Sequence, residues 1–213
     1  MTPPQRSALA ALEDATGVPV VGMESPRGIG DPSLGAFAQM LAQSDCVLLL
    51  GKRLDFTLKF GSSPALASDC EFMQIDAEQA ELDRSRRAVG SRLIATAVAD
   101  TPSAIRALVA AASVSGKTTS AWRDDVHAAI AYRPRAWLTA TSTIPNRLHP
   151  VQALRPLQAI LDSHPGSVFI SDGGEIGQWA QACLNAPHRV INGVAGAIGA
   201  ALPFALGARV LRG

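Results

Sequence analysis

Cys46-Val-Leu-Leu-Leu50 is apolar at every position and is closed by Gly51, the pattern of a parallel strand covered on both faces. Ahead of it, Leu34, Phe37, Ala38 and Leu41 recur at i, i+3, i+4 and i+7, which predicts one apolar helical face between Pro32 and Ser44. Asp31-Pro32 supplies that helix with an N-cap and a preset first turn. Residues 7–15 predict a helix that Gly17 stops, and Val18-Pro-Val-Val21 predicts a strand. Phe72-Met-Gln-Ile-Asp76 and Leu93–Val98 read as two more strands, with a further helix over residues 102–112. Short apolar runs alternating with Ala-rich helical stretches are the rhythm of βαβ units, so the expected class is α/β with a doubly wound parallel sheet.

Ser113-Val-Ser-Gly-Lys-Thr-Thr-Ser120 is small and polar, the most linker-like stretch of the chain, and the domain boundary is expected there. This divides the chain into a first domain, residues 1–120, a linking helix and loop over 121–148, and a partial second α/β domain over 149–213. Residues 122–132 predict the connecting helix. His149-Pro150 opens a helix over 151–161, Val168-Phe-Ile170 is a strand running into Asp172-Gly-Gly174, and residues 176–184 form a helix. Arg189-Val-Ile191 is a short strand, and 193–212 is a glycine-punctuated turn followed by an Ala-rich helix expected to be buried.

Composition narrows the partners. With 47% apolar residues in 213, the chain can bury a sizeable core. Lys+Arg 19 against Asp+Glu 18 leaves a net charge of +1, which gives no electrostatic footprint for nucleic acid or anionic lipid. The apolar run at Cys46–Leu50 is far short of a bilayer span and Met1-Thr-Pro-Pro-Gln-Arg6 lacks the apolar stretch of a signal peptide, so a cytoplasmic protein is expected. Cys46, Cys70 and Cys183 are odd in number, widely spaced and without a CxxC, which supports neither a disulfide framework nor a metal site; they read as small buried hydrophobes.

Three segments carry candidate chemistry. Leu48-Leu-Leu-Gly-Lys-Arg-Leu-Asp55 places Arg53 and Asp55 just beyond the carboxyl end of a strand, where open parallel sheets bind ligands and an Arg can grip a phosphate. Alone, the same loop reads sooner as a solvated ion pair than as a ligand site, since such Arg–Asp loops are common. Ser171-Asp-Gly-Gly-Glu-Ile-Gly177, followed by Gln178 and Trp179, turns from a strand into a helix through glycines and offers free N–H groups and a helix dipole to an anion such as a diphosphate. Alone, it is equally a tight turn with no ligand. Gly193, Gly196 and Gly199 sit at steps of three, which misses the GxGxxG dinucleotide spacing but permits close backbone approach or close helix packing.

Taken in order, these segments resemble the thiamine diphosphate enzymes of the acetolactate synthase, benzoylformate decarboxylase and oxalyl-CoA decarboxylase group, and the resemblance covers nearly the whole chain. Gly17-Val-Pro-Val20, the strand ending in Gly51-Lys-Arg-Leu-Asp55, Gln74-Ile-Asp76 and Val98-Ala-Asp100 are similar to the family's Rossmann-like central domain. Asp172-Gly-Gly174 through Trp179, Gly196-Ala-Ile-Gly199 and Leu202-Pro-Phe-Ala-Leu-Gly-Ala208 are similar to the start of its diphosphate-binding domain. The resemblance implies that Gly174, Glu175 and Ile176 lie against the diphosphate of the cofactor. It implies that the backbone of Gly196 and Ala197 meets the aminopyrimidine, and that Ile198 lies between the two cofactor rings and holds the bent conformer. In the central domain it implies Arg53, Asp76 and Asp100 for FAD or ADP.

The resemblance also implies magnesium, and a homo-oligomer, dimer or tetramer. The family's magnesium motif should follow Leu211, its pyrimidine domain should precede Met1, and the first strand of its central domain should precede Ser7; none of these is present in the sequence. The chain is therefore expected to be an internal piece of a much longer protein, with no catalytic residue or metal ligand of its own and no activity alone. The implied activity of the whole is decarboxylation of a 2-oxo acid followed by ligation, by a transferase or lyase most like acetolactate synthase. The alternatives are a decarboxylase or lyase of acyl-CoA substrates and a non-catalytic domain that binds FAD or ADP.

Overall fold

The computed structural model of the chain describes residues 3–115, 121–191 and 198–212. Residues 116–120 of the expected linker, and Gly193, Gly196 and Ala197 of the third segment, lie outside the described residues. The chain divides into two compact units, the first formed by Pro4–Gly22 with Ala36–Ile130 and the second by Met23–Gly35 with the residues from 131 onward. The fold is mixed α/β, with a three-stranded parallel sheet flanked by helices in the first unit.

In the first unit β1 (Cys46–Leu50), β2 (Glu71–Asp76) and β3 (Leu93–Val98) form an all-parallel sheet in the order β1-β2-β3. The register pairs Leu50 with Ile75 and Asp76 with Val98, so the three carboxyl ends are level. Phe72, Gln74 and Asp76 are buried and alternate with half-buried Met73 and Ile75, the period of two of a pleated strand. Helix α3 (Gln79–Val89) packs on β2 and β3 through buried Leu82 and Val89, and α4 (Thr101–Ser115) packs against β2. The long connection from β1 to β2 is fastened by Arg92, whose guanidinium lies 5.3 Å over the Phe72 ring and donates to the Gly61 carbonyl at 2.8 Å.

Four expectations are corrected here. β1 is not covered on both faces: Leu49 is buried, but Cys46 is exposed and Leu48 is 38% exposed, because β1 is an edge strand. Cys46 is accordingly no buried hydrophobe, whereas Cys70 is. Val18-Pro-Val-Val21 forms no strand, since Pro19 has no N–H to give to a ladder and the N–H of Val20 is taken by the Glu13 carboxylate at 2.8 Å. The helical face between Pro32 and Ser44 is split: Pro32–Leu34 makes a 3-10 turn capped by Asp31, Gly35 breaks it at φ +56°, and Phe37–Leu41 (α2) follows in the other unit. The apolar spacing thus runs through residues that enter two different cores.

The helix expected to link domains, α5 (Ala121–Ala131), belongs to the first unit. Val126 is buried, and His127 and Arg123 meet Glu13 and Asp14 of α1 (Pro3–Thr16).

The second unit contains α6 (Pro150–Ser163), β4 (Val168–Ser171), α7 (Gly174–Cys183) and β5 (His188–Ile191), with β4 and β5 parallel. His149 opens α6 with a capping box: its Nδ1 accepts from the N–H of Val151, while Gln152 Oε1 accepts from the N–H of His149. Leu154, Ala180 and Leu184 make the core, with Leu161, Phe169 and Trp179 packed against it. Trp179 meets Trp137 and His149 edge to face at 5.3 and 5.6 Å.

Helix α8 (Ala201–Arg212) packs against β4, but it is not the buried helix its composition predicts: Leu202, Leu206 and Val210 are 70%, 61% and 82% exposed. A two-stranded sheet has too little apolar surface to cover a helix that is apolar on more than one side. Among the described residues no helix is long and apolar enough to cross a membrane.

Candidate functional site

At the carboxyl end of the first unit's sheet, the three residues proposed for a nucleotide stand on three successive turns, and each already has a partner within the unit. Arg53 faces Glu81 of α3, its Nε 3.4 Å from Oε1, and Arg84 meets the other oxygen at 3.1 Å. Asp76 is buried and its Oδ1 accepts from the N–H of Glu78 at 3.0 Å, closing the turn into α3. Asp100 accepts from the N–H of Ser103 at 2.9 Å and caps the start of α4. Hydrogen bonds from the Ser103 side chain and backbone hold its carboxyl below the usual aspartate range. Asp55 likewise caps the turn after β1, accepting from the N–H of Thr57 at 3.0 Å beside Lys52 at 3.4 Å.

The second unit differs. Ser171 ends β4, and its hydroxyl accepts from the buried Gln181 amide at 3.3 Å, which ties α7 to the strand below. Helix α7 begins at Gly174 with φ +79°, a conformation glycine adopts at little cost. Its N-cap is Gly173, which has no side chain to cap with, so the first-turn N–H groups of α7 receive no side-chain partner from the cap position. Gly174, Glu175 and Ile176 are exposed. Gly177, one turn further, is buried, and a Cβ there would lie 2.1 Å from the Asp172 carbonyl, so only glycine lets the helix approach its own turn this closely.

Asp172 joins the second and third segments. Its Oδ1 accepts from the N–H of Gly173 and its Oδ2 from the N–H of Gly199, both at 2.8 Å. Those two donors, Gly173 first, together with the N–H groups of Ala200 and Ala201, hold its carboxyl below the ordinary range. The carboxylate thus sits at the start of α8 while belonging to the turn before α7, and it brings Ile198, next to Gly199, to the end of β4 where Gly174, Glu175 and Ile176 lie. Ile198 and Ile176 are 77% and 59% exposed, two branched apolar side chains left uncovered at that end.

Arg27 reaches the same turn, and sequence reasoning gave it no role. Its Nη2 donates to the Gly174 carbonyl at 3.1 Å, and Gln178, its amide oxygen facing the guanidinium, accepts from Nε at 2.6 Å. The signal that could have found it is Arg27-Gly-Ile-Gly30, a cation in a glycine-rich turn. The structure therefore brings Gly174, Glu175, Ile176 and Ile198 into one neighbourhood, and sets Arg53, Asp76 and Asp100 along one sheet edge of the other unit.

Among the described residues no group of three or more His, Cys, Asp or Glu side chains could hold a metal ion. An open hollow at the α6–β4 turn is lined by Ile160, Leu161, His164 and Ser167 and by none of the predicted site residues. Compared with protein-family models and with curated proteins, the chain matches none.

Proposed function

We propose that this chain forms the central and diphosphate-binding part of a thiamine diphosphate-dependent enzyme, cytoplasmic and most like acetolactate synthase, that decarboxylates a 2-oxo acid and ligates the product. The observation that carries the reading is the Asp172 bridge, with one oxygen on Gly173 N–H and the other on Gly199 N–H. It supports a shared site because, at the common end of the parallel strands β4 and β5, it ties the turn suited to a diphosphate to the segment that carries the residue suited to the cofactor rings.

Thiamine diphosphate, when bound, supplies an acidic ring carbon that adds to the carbonyl of a 2-oxo acid. The chain's part is to hold and shape it. The exposed backbone of Gly174, Glu175 and Ile176 at the start of α7 would hold the diphosphate, since N–H groups and helix dipole there favour negative charge. Ile198 and Ile176 would give apolar contact to the rings, and Ile198 would contribute by preorganising the bound cofactor more than by affinity. Glu175 adds a negative charge to the same turn, which the Arg27 guanidinium on Gly174 offsets in part and a cation bound with the diphosphate would offset further. The described residues provide no ligand set for the implied magnesium, and the reading assigns it none.

Calorimetric titration of the 213-residue chain with thiamine diphosphate, with and without magnesium, tests this. Binding that inorganic diphosphate competes away is expected. Binding of FAD or ADP with no response to thiamine diphosphate would replace the reading by a nucleotide-binding one in the first unit, against which the Arg53–Glu81 pair, the bond of Asp76 to the N–H of Glu78 and the capping of α4 by Asp100 already weigh.

A further inference from the structure

Residues Met23–Gly35 lie in sequence between two helices of the first unit, α1 and α2, yet they belong to the second unit. Their own turns are built locally. Asp31 accepts from the N–H of Ser33 at 2.8 Å, and Pro32–Leu34 makes a 3-10 turn whose Ser33 and Leu34 are buried. This turn packs on α7.

Three arginines then fasten the segment, two along that helix and one to β5. Arg27 donates to the carbonyl of Gly174 and meets Gln178, at the amino end of α7. Arg133 donates through Nη2 to the Ser33 carbonyl at 3.0 Å and through Nε to the Ala182 carbonyl at 2.7 Å, at the carboxyl end. Arg189, on β5, pairs with Glu24 at 3.3 Å, and both side chains are largely buried.

We infer that Met23–Gly35 is a strap that fixes the turn into α7, and that Arg27 is its positioning residue for the backbone of Gly174, Glu175 and Ile176. That this turn is a ligand site rests on the function proposed above; that the strap holds it does not. Two features favour positioning over general stabilisation. Arg27 Nη2 binds the carbonyl of Gly174, a residue with φ +79° in a turn whose cap position gives no side-chain hydrogen bond, so a charged donor there sets the carbonyl side of a turn whose N–H side Asp172 holds. In addition, Arg27 Nη1 is buried and has no hydrogen-bond partner among the described residues, an arrangement that costs free energy and so weighs against a purely stabilising role. Gln178, one helical turn beyond Gly174, receives the same guanidinium, so strap, turn and helix meet at one group.

Amide hydrogen exchange of the full 213-residue chain, read on peptides covering residues 172–180, decides this. Arg27→Ala is expected to speed exchange there by about tenfold, as the loss of a charge-assisted hydrogen bond does, while peptides covering β1 and β2 and the middle of α6 keep their rates. Arg27→Lys retains one donor without the fork and is expected to recover part of the protection. Gln178→Ala leaves the arginine in place and should loosen the same peptide less, which gives a second reading should Arg27→Ala fold poorly. Unchanged exchange at 172–180 in Arg27→Ala and Gln178→Ala would overturn the strap, as would an equal rise in α6, which would make Arg27 a general stabiliser. The same variants titrated with thiamine diphosphate and magnesium separate the two proposals: a wild-type chain that binds none removes the cofactor reading and leaves the strap to the exchange result. Binding that Arg27→Ala weakens about tenfold and Arg27→Lys partly restores supports both.

Discussion

The two units resolve the turn from a parallel strand into a helix in opposite ways. In the first, every such turn is closed by a side chain of its own: Asp76 on the N–H of Glu78 before α3 and Asp100 on the N–H of Ser103 before α4. In the second, the turn before α7 has glycine at the cap position, and the carboxylate of Asp172 is divided between Gly173 and the start of another helix at Gly199. Glu78, the N-cap of α3, makes no side-chain cap hydrogen bond either, so what sets the second unit apart is the joining of two segments at one turn, and that directs the search for a ligand there although the first unit has the more regular sheet.

The first way to break this contrast is to ask whether each unit's packing is as specific as its turns suggest. Phe72 is fully buried at the centre of the first sheet, under the Arg92 guanidinium. Phe72→Ala is expected to destabilise by about 3–5 kcal/mol, the cost of a large cavity in a core with few ways to collapse. Urea unfolding followed by far-ultraviolet circular dichroism measures it, and a loss below about 1 kcal/mol would mean that this sheet is not organised around Phe72.

The matching probe of the second unit is Gly177→Ala. Within an ordinary helix this change stabilises by up to about 1 kcal/mol. Here the new Cβ would lie 2.1 Å from the backbone oxygen of Asp172, which is not the end of a flexible side chain and cannot swing away. The sign therefore reverses, with an expected loss of about 1–3 kcal/mol. The fluorescence of Trp179, packed against Trp137 next to this turn, reports it. A gain in stability would show that α7 does not approach its turn this closely.

The same contrast explains what could be read in the sequence. All three strands of the first sheet, α6 and α7 were legible because apolar spacing and punctuating glycines were local signals. Val18-Pro-Val-Val21 misled because β-branched residues score as a strand, whether or not a neighbour stands ready to accept the ladder. The helical face from Leu34 to Leu41 misled for a different reason: periodicity does not record that Gly35 sends its two halves to different units. Of the candidate site, the glycines of the α7 turn were legible from their spacing after a strand. Arg27 was not, because its partners Gly174 and Gln178 are distant in sequence, and a cation in a glycine-rich turn does not say which backbone it will reach.

Acid sharpens the comparison next. Asp172 has its carboxyl lowered by backbone donors, so its contribution is fully present above the unfolded aspartate pKa of about 3.9 and is lost as pH falls through the lower folded value. Asp100, also lowered, follows the same sign. The readouts differ: protonating Asp100 frees the cap of one helix, whereas protonating Asp172 parts two segments. The amide resonance of Gly199 is expected to titrate below about pH 3.9 together with that of Gly173, and in Asp172→Asn to lose that titration. A Gly199 resonance indifferent to acid would remove the bridge on which the shared site depends.

The smallest effect is expected from the thiols, which test burial without disturbing the fold. Cys70 lies fully buried beside β2, and its thiol is pushed up to about 11, by burial first and then by the charge of Cys46, so it is neither accessible nor ionised near neutral pH. Cys46 stands exposed on the edge strand of the same sheet, although burial and then the charges of Glu71 and Asp45 raise its thiol as well. Cys183, in the second unit, is half-buried and raised chiefly by burial. All three shifts have one direction, so access and not ionisation must set the order of reaction, and an uncharged alkylating reagent avoids the repulsion that Glu71 and Asp45 would impose on an anionic one. Mass spectrometry of the native chain after graded alkylation is expected to find Cys46 modified first, Cys183 next and Cys70 only on unfolding, with circular dichroism unchanged after the first addition. Modification of Cys70 as early as Cys46 would mean that the first sheet opens as readily at its centre as at its edge, and the more regular unit would then be the looser of the two.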